Sequence, residues 1–219
     1  MSIKITTLVE NSVYGKGLQG EHGLSLLVDT GEHRLLFDTG ASDLFIRNAR
    51  ILGIDLKEVD FLVLSHGHRD HTGGLHHFLA VNDKAQVVCK RELFRPKFKD
   101  ERENGVMQPD ALDSTRFRFV DEVTELCRGV FVFPQLPVTD EEDTHFEHFF
   151  TWTEGRKQAD TFTDELALAL KQGAEVSVLS ACSHRGITNI IRAVQEYFPQ
   201  TSLKPVSYTH LRAHETLAN

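Results

Sequence analysis

Three histidines and one aspartate stand within six positions of the segment LSHGHRDHTGGL, residues 64–75. An apolar run, FLVL at 61–64, leads directly into them, and a pair of glycines follows at 73 and 74. Groups that bind protons or metals compete with or repel one another when they lie this close, unless a positive centre sits among them. The glycines free the backbone for a tight approach. The segment predicts a metal site on a loop after a strand, with a solvated histidine-rich loop as the alternative.

The spacing divides these four side chains into two pairs. His66 and His68 are two apart, so in extended backbone both imidazoles point the same way and can bind one ion. Asp70 and His71 follow a turn of the chain and can face a second ion nearby. Imidazole and carboxylate together suit zinc, although iron and manganese accept the same donors. We therefore expect one or two zinc ions, with iron or manganese as alternatives.

The hydrophobic pattern around this segment predicts an α/β chain. Short β-branched or leucine-rich runs predict strands, and helical spacing of apolar residues predicts helices. The predicted strands cover residues 3–9, 24–28, 34–37, 61–64, 85–89, 166–170 and 176–180, with a hairpin turn at 29–32; the predicted helices cover 41–53, 75–82 and 188–197. The metal segment then lies between the end of a strand and a helix, where α/β proteins usually place their sites.

Two regions depart from this pattern. Residues 91–150 are charged and broken, and we predict an insertion that partly covers the site, with plain surface loops as the alternative. Residues 206–216, VSYTHLRAHET, match the in-frame translation of a transposon-end adapter from DNA sequencing libraries. We therefore expect a single domain over 1–205 and a non-native tail over 206–219, which excludes His210 and His214 as ligands.

The charge and cysteine content of the chain limit the kinds of partner that it is expected to bind. The net charge of −8 is spread along the chain, which argues against sequence-independent binding to nucleic acid and against anionic membrane surfaces. A small, anionic substrate would need a local positive centre such as a metal. Three cysteines without paired spacing, and the lack of a signal peptide or membrane span in the pattern, predict a cytoplasmic protein. The oligomeric state stays open.

The motif His66-x-His68-x-Asp70-His71 resembles the H-x-H-x-D-H motif of the metallo-β-lactamase superfamily. The resemblance implies an α/β (α+β) fold, a four-layer αββα sandwich with a one- or two-metal site between the edges of its two β-rich halves. LLFDTG at 35–40 resembles the strand and turn before the family's first helix, which places Asp38 behind a metal-binding histidine, with a turn-capping carboxylate as the alternative. SVLSACSHRGITNII at 177–191 resembles the third ligand-bearing segment, with His184 as its ligand.

The resemblance implies a metal-ligand set of His66, His68, Asp70, His71 and His184. Asp70 and His68 are the catalytic candidates, with Asp70 holding the nucleophile or taking its proton. Cys182 is expected to pack beneath its loop rather than bind metal. The family completes its second site with a later histidine, and often a carboxylate, that are missing before the suspect tail. We therefore expect a C-terminally truncated, poorly active chain, and leave a one-metal protein open.

Within the superfamily the chain is most similar to the branch of dihydropterin-methyl-(ribofuranosyl)aminobenzene-phosphate synthases. Several blocks carry this resemblance in order: LVEN at 8–11, EHGLSLLV at 21–28, LLFDTGAS at 35–42, NARILGIDL at 48–56, LSHGHRDHTGGL and SACSHRGITNII. The branch usually has tyrosine in place of Arg69, which weakens any transfer of substrate. Glu21 and His22 are predicted to line the substrate pocket, with a role on the hairpin surface as the alternative.

These features support three functions of different kinds. The first is a zinc-dependent hydrolase in which metal-activated water attacks an ester or phosphoester. The second is a transferase similar to the synthase branch, with the metal centre binding a diphosphate leaving group. The third is a non-catalytic metal-binding module, although structural zinc sites are usually closed and cysteine-rich. Redox chemistry at a di-iron centre is disfavoured, because the oxygen-reducing branch carries glutamate at the position of His68.

Overall fold

The computed structural model describes residues 3–106 and 115–204, so the predicted non-native tail lies outside the described residues. The strands in these ranges are β1 Lys4–Val9, β2 Ser25–Asp29, β3 Arg34–Phe37, β4 Phe61–Val63, β5 Gln86–Cys89, β6 Lys97–Lys99, β7 Arg102–Glu103, β8 Phe117–Phe119, β9 Thr124–Cys127, β10 Val130–Phe133, β11 Phe149–Thr153, β12 Arg156–Ala159, β13 Ala167–Gln172, β14 Glu175–Leu179 and β15 Ser202–Lys204. The α-helices are α1 Leu44–Ile51, α2 Arg69–Thr72, α3 Leu75–Val81 and α4 Ile187–Tyr197. Short 3₁₀ turns occur at Leu56–Glu58 and Arg91–Phe94.

The first sheet has the strand order β1-β2-β3-β4-β5-β8. Its first three strands pair antiparallel, and β3, β4, β5 and β8 run parallel. The predicted hairpin turn is present, because the Thr30 amide donates to the His33 carbonyl at 3.0 Å. Gly31 in that turn has a φ of 84°, which glycine adopts without steric cost. The strands predicted from the hydrophobic pattern are therefore confirmed in this sheet, with small shifts at their ends.

The second sheet has the order β15-β14-β13-β10-β9 and faces the first. Apolar side chains from both sheets fill the space between them, including Phe37 and Val63 from the first sheet and Val132 and Leu168 from the second. Each such side chain, once fully buried, contributes about 1.5–3 kcal/mol through the hydrophobic effect. This inter-sheet core holds the two halves of the sandwich together.

Helices cover the outer faces of both sheets. Phe45 of α1 and Phe78 of α3 are fully buried against the first sheet, and Ile190 and Val194 of α4 pack against the second. The layer order is therefore helix, sheet, sheet, helix, which confirms the predicted αββα sandwich. No helix in the described ranges is long and apolar enough to cross a membrane.

The region predicted as an insertion, 91–150, is shared among three sheets. β8 extends the first sheet, β9 and β10 belong to the second, and β6, β7 and β11 form a small third sheet with β12 in the order β12-β11-β6-β7. The prediction of one insertion is too broad, because β10 pairs with β13 inside the core sheet. Among the described residues, the third sheet is the part of this region that does not pair with either sheet of the sandwich.

Candidate metal centre

Two ligand-bearing segments meet at one edge of the sandwich. The first follows β4, where residues 64–68 are buried and His68 is the N-cap of α2, so that His71 lies inside that short helix. The second follows β14 and carries His184 just before α4. The Leu166 amide donates to the Ser65 carbonyl at 2.8 Å, which joins the two halves beside the site.

His66, His68 and His184 form the first cluster. All three are buried, and one ring nitrogen from each lies within 4.8 Å of the others. The three Nε2 atoms have no hydrogen-bond partner among the residues that the structure describes. An unpaired buried polar atom costs about 1–3 kcal/mol, so three of them converging at one point need an explanation. The donor set fits a metal ion, which would accept all three nitrogen lone pairs and leave a fourth position open.

Hydrogen bonds at the other ring nitrogen set two of these tautomers. Nδ1 of His184 lies 3.0 Å from the carbonyl of His145, which only accepts, so Nδ1 carries the proton. Nδ1 of His66 lies 2.9 Å from the Ser65 hydroxyl, which donates its own hydrogen to Asp38 and therefore accepts from His66. Both residues thus present an unprotonated Nε2 toward the cluster, as metal-ligating histidines do.

Burial also keeps these imidazoles neutral. It lowers the pKa of His66 and His68 well below the ordinary histidine value, and neighbouring histidines lower both further. Burial lowers the pKa of His184 to about 3. Because only the neutral imidazole binds metal, the first cluster is in its ligating form at neutral pH.

A second cluster surrounds His71, which is fully buried. Its Nε2 lies 3.2 Å from Sγ of Cys182 and 3.4 Å from Oδ2 of Asp70. One ligand atom each from His66, His71 and Cys182 fall within 4.8 Å of one another. Burial opposes charge on His71, but Cys182, Asp70 and Asp38 outweigh it and raise the pKa of His71 well above its ordinary value. Cys182, which we expected only to pack beneath its loop, is buried, and its thiol faces His71.

Asp38 lies directly behind His71. Its Oδ2 is 2.7 Å from Nδ1 of His71, and it also accepts hydrogen bonds from the amide and hydroxyl of Ser65 at 2.7 Å each. Asp38 has a φ of 61°, a conformation that costs energy for any residue with a Cβ. The strained turn after β3 thus aims this carboxylate at His71 and at Ser65, the residue before His66.

The two residues predicted to bind substrate have different surroundings. Both oxygens of Glu21 are engaged: Oε1 accepts from the amides of Ala41 and Ser42 at 3.0 and 3.1 Å, and Oε2 accepts from the Ser42 hydroxyl at 2.6 Å. Glu21 therefore holds the loop before α1, and its assignment to the substrate pocket stays a prediction. His22 is 70% exposed, and its Nε2 lies 3.4 Å from Oδ2 of Asp70, so it borders the site.

Aromatic side chains close the first cluster, and the sequence reasoning missed them. Phe162 is fully buried and stacks on His184, with ring centroids 3.7 Å apart and planes at 11°. The ring of Phe149, at the start of β11, has its centroid 4.8 Å from that of His68 and 5.0 Å from that of His184. Phe162 has a φ of 51°, which no sequence pattern indicates. The third sheet therefore contributes part of the apolar wall that surrounds the ligands.

Comparison with known proteins identifies the family. The family model "Metallo-beta-lactamase superfamily" matches residues 18–163. The chain is 29% identical over 212 residues to the 7,8-dihydropterin-6-methyl-4-(beta-D-ribofuranosyl)-aminobenzene-5'-phosphate synthase of Methanocaldococcus jannaschii, covering 87% of this chain and 71% of that protein.

Two solved structures extend the comparison. The crystal structure of Tm1679, a metal-dependent hydrolase of the β-lactamase superfamily, aligns with a TM-score of 0.78 at 30% identity, covering 98% of this chain and 80% of that one. A quorum-quenching N-acyl homoserine lactone lactonase aligns with a TM-score of 0.51 at 15% identity, covering 85% of this chain and 78% of the lactonase. The likeness to the lactonase concerns the fold alone.

Proposed function

This chain belongs to the metallo-β-lactamase superfamily and is a metal-dependent enzyme, a hydrolase or a transferase; on that premise we propose that it is a zinc-dependent hydrolase of a small anionic ester or phosphoester. The observation that carries the metal assignment is the convergence of three unpartnered Nε2 atoms in the first cluster. When bound there, zinc would supply a Lewis acid and a bound water whose pKa lies near neutrality.

The chain's own residues have distinct roles in this proposal. His66, His68 and His184 hold the first ion. Because these imidazoles are already neutral, they release no proton when the metal binds. Asp70 has a partly exposed carboxylate, with its side chain 13% accessible, between His71 and His22. It therefore reaches both the buried ligands and the solvent side of the site. This position suits a group that orients a water molecule and accepts its proton.

His71, Cys182 and Asp70 would hold a second ion beside the first. Nε2 of His71 lies 3.2 Å from Sγ of Cys182 and 3.4 Å from Oδ2 of Asp70. Thiolate, imidazole and carboxylate are all zinc ligands. Asp38 supports this position, because its carboxylate fixes the Nδ1 proton of His71 and leaves Nε2 facing the cluster.

The anionic substrate is supported by cations beside α2. Arg69 and Arg95 line a cavity of about 400 Å³ together with Phe94, Pro96 and Val106. Arginine suits planar or phosphate anions because it donates several hydrogen bonds in a fixed geometry. Glu103 also lines this cavity and offsets part of the positive charge.

A transferase is the second candidate, and the identity to the Methanocaldococcus jannaschii synthase favours it. Such an enzyme would use the same cations to bind a diphosphate leaving group while a second organic substrate attacks. Both chemistries need the same ligands, so the site does not separate them.

The test uses the full chain loaded with zinc. It is incubated with a generic phosphodiester and a generic ester, and separately with a pterin diphosphate in the presence and absence of an aminobenzene nucleophile. Zinc-dependent release of alcohol from the first two supports the hydrolase. Turnover only when both organic substrates are present contradicts it and supports the transferase.

A further inference from the structure

Asp164 is a buried carboxylate that contacts the first ligand-bearing segment. Its Oδ2 accepts a hydrogen bond from the amide of Gly67, the residue between His66 and His68, at 2.7 Å. Gly67 leaves no room for a side chain, since a Cβ there would lie 2.4 Å from the carbonyl oxygen of Leu93. The backbone between the two histidines is therefore held from both sides.

Glu165, the next residue, contacts the second segment. Its Oε1 accepts from the amide of His184 and its Oε2 from the amide of Arg185, both at 2.8 Å. Only 1% of Glu165 is exposed, so these two bonds take up both oxygens away from solvent. Adjacent side chains thus bond to the main chain of both segments that carry the first-cluster histidines.

Lys97 braces this arrangement. Its Nζ lies 2.8 Å from Oδ1 of Asp164 and 2.6 Å from Oδ2 of Asp160, and all three side chains are buried. Burial of a carboxylate is costly unless it is paired and hydrogen-bonded. Lys97 supplies that pairing on one oxygen of Asp164, which leaves the other oxygen for the Gly67 amide.

We propose that Asp164 and Glu165 form a carboxylate clamp that fixes His66 and His68 at the correct distance from His184. The clamp consists of these two side chains and acts on backbone amides, so they are positioning residues rather than ligands. The two segments follow strands of different sheets and are far apart in the chain, so strand pairing alone does not set their separation. A metal site tolerates errors of only about 0.2 Å in ligand distance. The inference rests on the proposed metal site.

A matched control exists at the other end of β4. Asp60 accepts a hydrogen bond from the amide of Arg34 at 3.0 Å and pairs with Lys84 at 3.3 Å. Like Asp164, it contacts a backbone amide and a lysine; unlike Asp164, it is partly exposed and also lies 3.4 Å from Nδ1 of His33. Asp60 precedes β4, whereas the metal segment follows it, so its loss tests general destabilisation without touching the clamp.

The experiment measures cobalt(II) binding to the full chain and to Asp164→Asn, Glu165→Gln and Asp60→Asn. Affinity comes from competition with a chelator, ligand geometry from the visible cobalt spectrum, and stability from the melting temperature of the metal-free protein. Changing residues that orient metal ligands typically weakens affinity about 10–100-fold. We expect that loss, with an altered spectrum, in both clamp variants, and parent-like affinity and spectrum in Asp60→Asn.

Two results would overturn the clamp. One is parent-like cobalt affinity and spectrum in folded Asp164→Asn and Glu165→Gln; the other is an equal loss in Asp60→Asn. Failure of the parent chain to bind cobalt instead refutes the proposed metal site, so the two failures are distinguishable. If Glu165→Gln does not fold by near-ultraviolet circular dichroism, Glu165→Asp takes its place. That variant keeps the charge, but its shorter side chain withdraws both oxygens from the amides of His184 and Arg185. The same two results would then overturn the clamp.

Discussion

The carboxylate of Asp38 lies 2.7 Å from Nδ1 of His71, and neither side chain is exposed to solvent. This contact holds a proton on Nδ1 of His71 and directs its Nε2 toward Cys182 and Asp70. Asp38 also accepts two hydrogen bonds from Ser65, the residue before His66. One carboxylate therefore orients residues of both clusters.

Asp38→Asn should weaken the second metal position more than the first. The asparagine amide keeps the size of the side chain but loses the charge that holds the Nδ1 proton of His71. We expect the affinity for a second zinc ion to fall about 10–100-fold, and the free energy of unfolding to fall by about 1–3 kcal/mol because a buried hydrogen bond is lost. Zinc titration by calorimetry checks the first value and urea unfolding the second. An equal loss of affinity for both zinc ions would contradict this role of Asp38.

Cys182→Ser should remove a specific optical band. With cobalt(II) in both positions, a thiolate ligand produces a charge-transfer band in the near ultraviolet, and serine cannot. We expect the band in the parent chain and its loss in Cys182→Ser. Cys127→Ser is the matched control, because Cys127 lies in β9 and has no place in either described cluster. A cobalt-loaded parent without the band would show that the sulfur is not a ligand.

His68→Ala distinguishes a catalytic ion from a structural one. His68 has a buried Nε2 without a partner among the described residues, so its removal relieves an unpaired polar atom while it leaves a cavity. We expect the zinc-dependent turnover to fall by at least about 100-fold, with the far-ultraviolet circular dichroism unchanged. His76→Ala, which alters an exposed histidine of α3, should keep full turnover. Global unfolding of His68→Ala would favour a structural metal.

Zinc should raise the melting temperature of the chain, and a chelator should reverse the effect. An ion that binds only the folded state stabilises it by about 2.7 kcal/mol when its free concentration is 100 times its dissociation constant. Differential scanning calorimetry with increasing zinc checks this. Magnesium at the same concentrations is the control, since it prefers oxygen ligands. No upward shift with zinc would argue against preformed binding sites.

Much of the fold could be predicted from the sequence, because its strands are short apolar runs bounded by clear turns. The hairpin around Gly31 and the helix α3 lie where the pattern placed them. The region 91–150 was harder, since β9 and β10 have the charged flanks of surface loops but pair within the second sheet. That assignment depends on long-range strand pairing, which local pattern does not report.

The candidate site shows the same division. The spacing of His66 and His68 indicated a shared ion, and the family resemblance added His184 and Asp38. Asp164 and Glu165 were not identified, and the contact of Cys182 with His71 was not foreseen, because these contacts arise only when two distant loops meet. Acidic residues just before a buried strand, as at 164 and 165, are the one local feature that could have raised the question.

The most direct test of the central claim is the zinc content of the chain after dialysis, compared with that of His184→Ala. The account predicts that the parent retains zinc and that X-ray absorption shows histidine nitrogen ligands. It also predicts that His184→Ala, folded by circular dichroism, loses the ion of the first cluster. A parent that retains no zinc, or a variant that retains as much as the parent, would contradict the assignment of His66, His68 and His184 as a metal site.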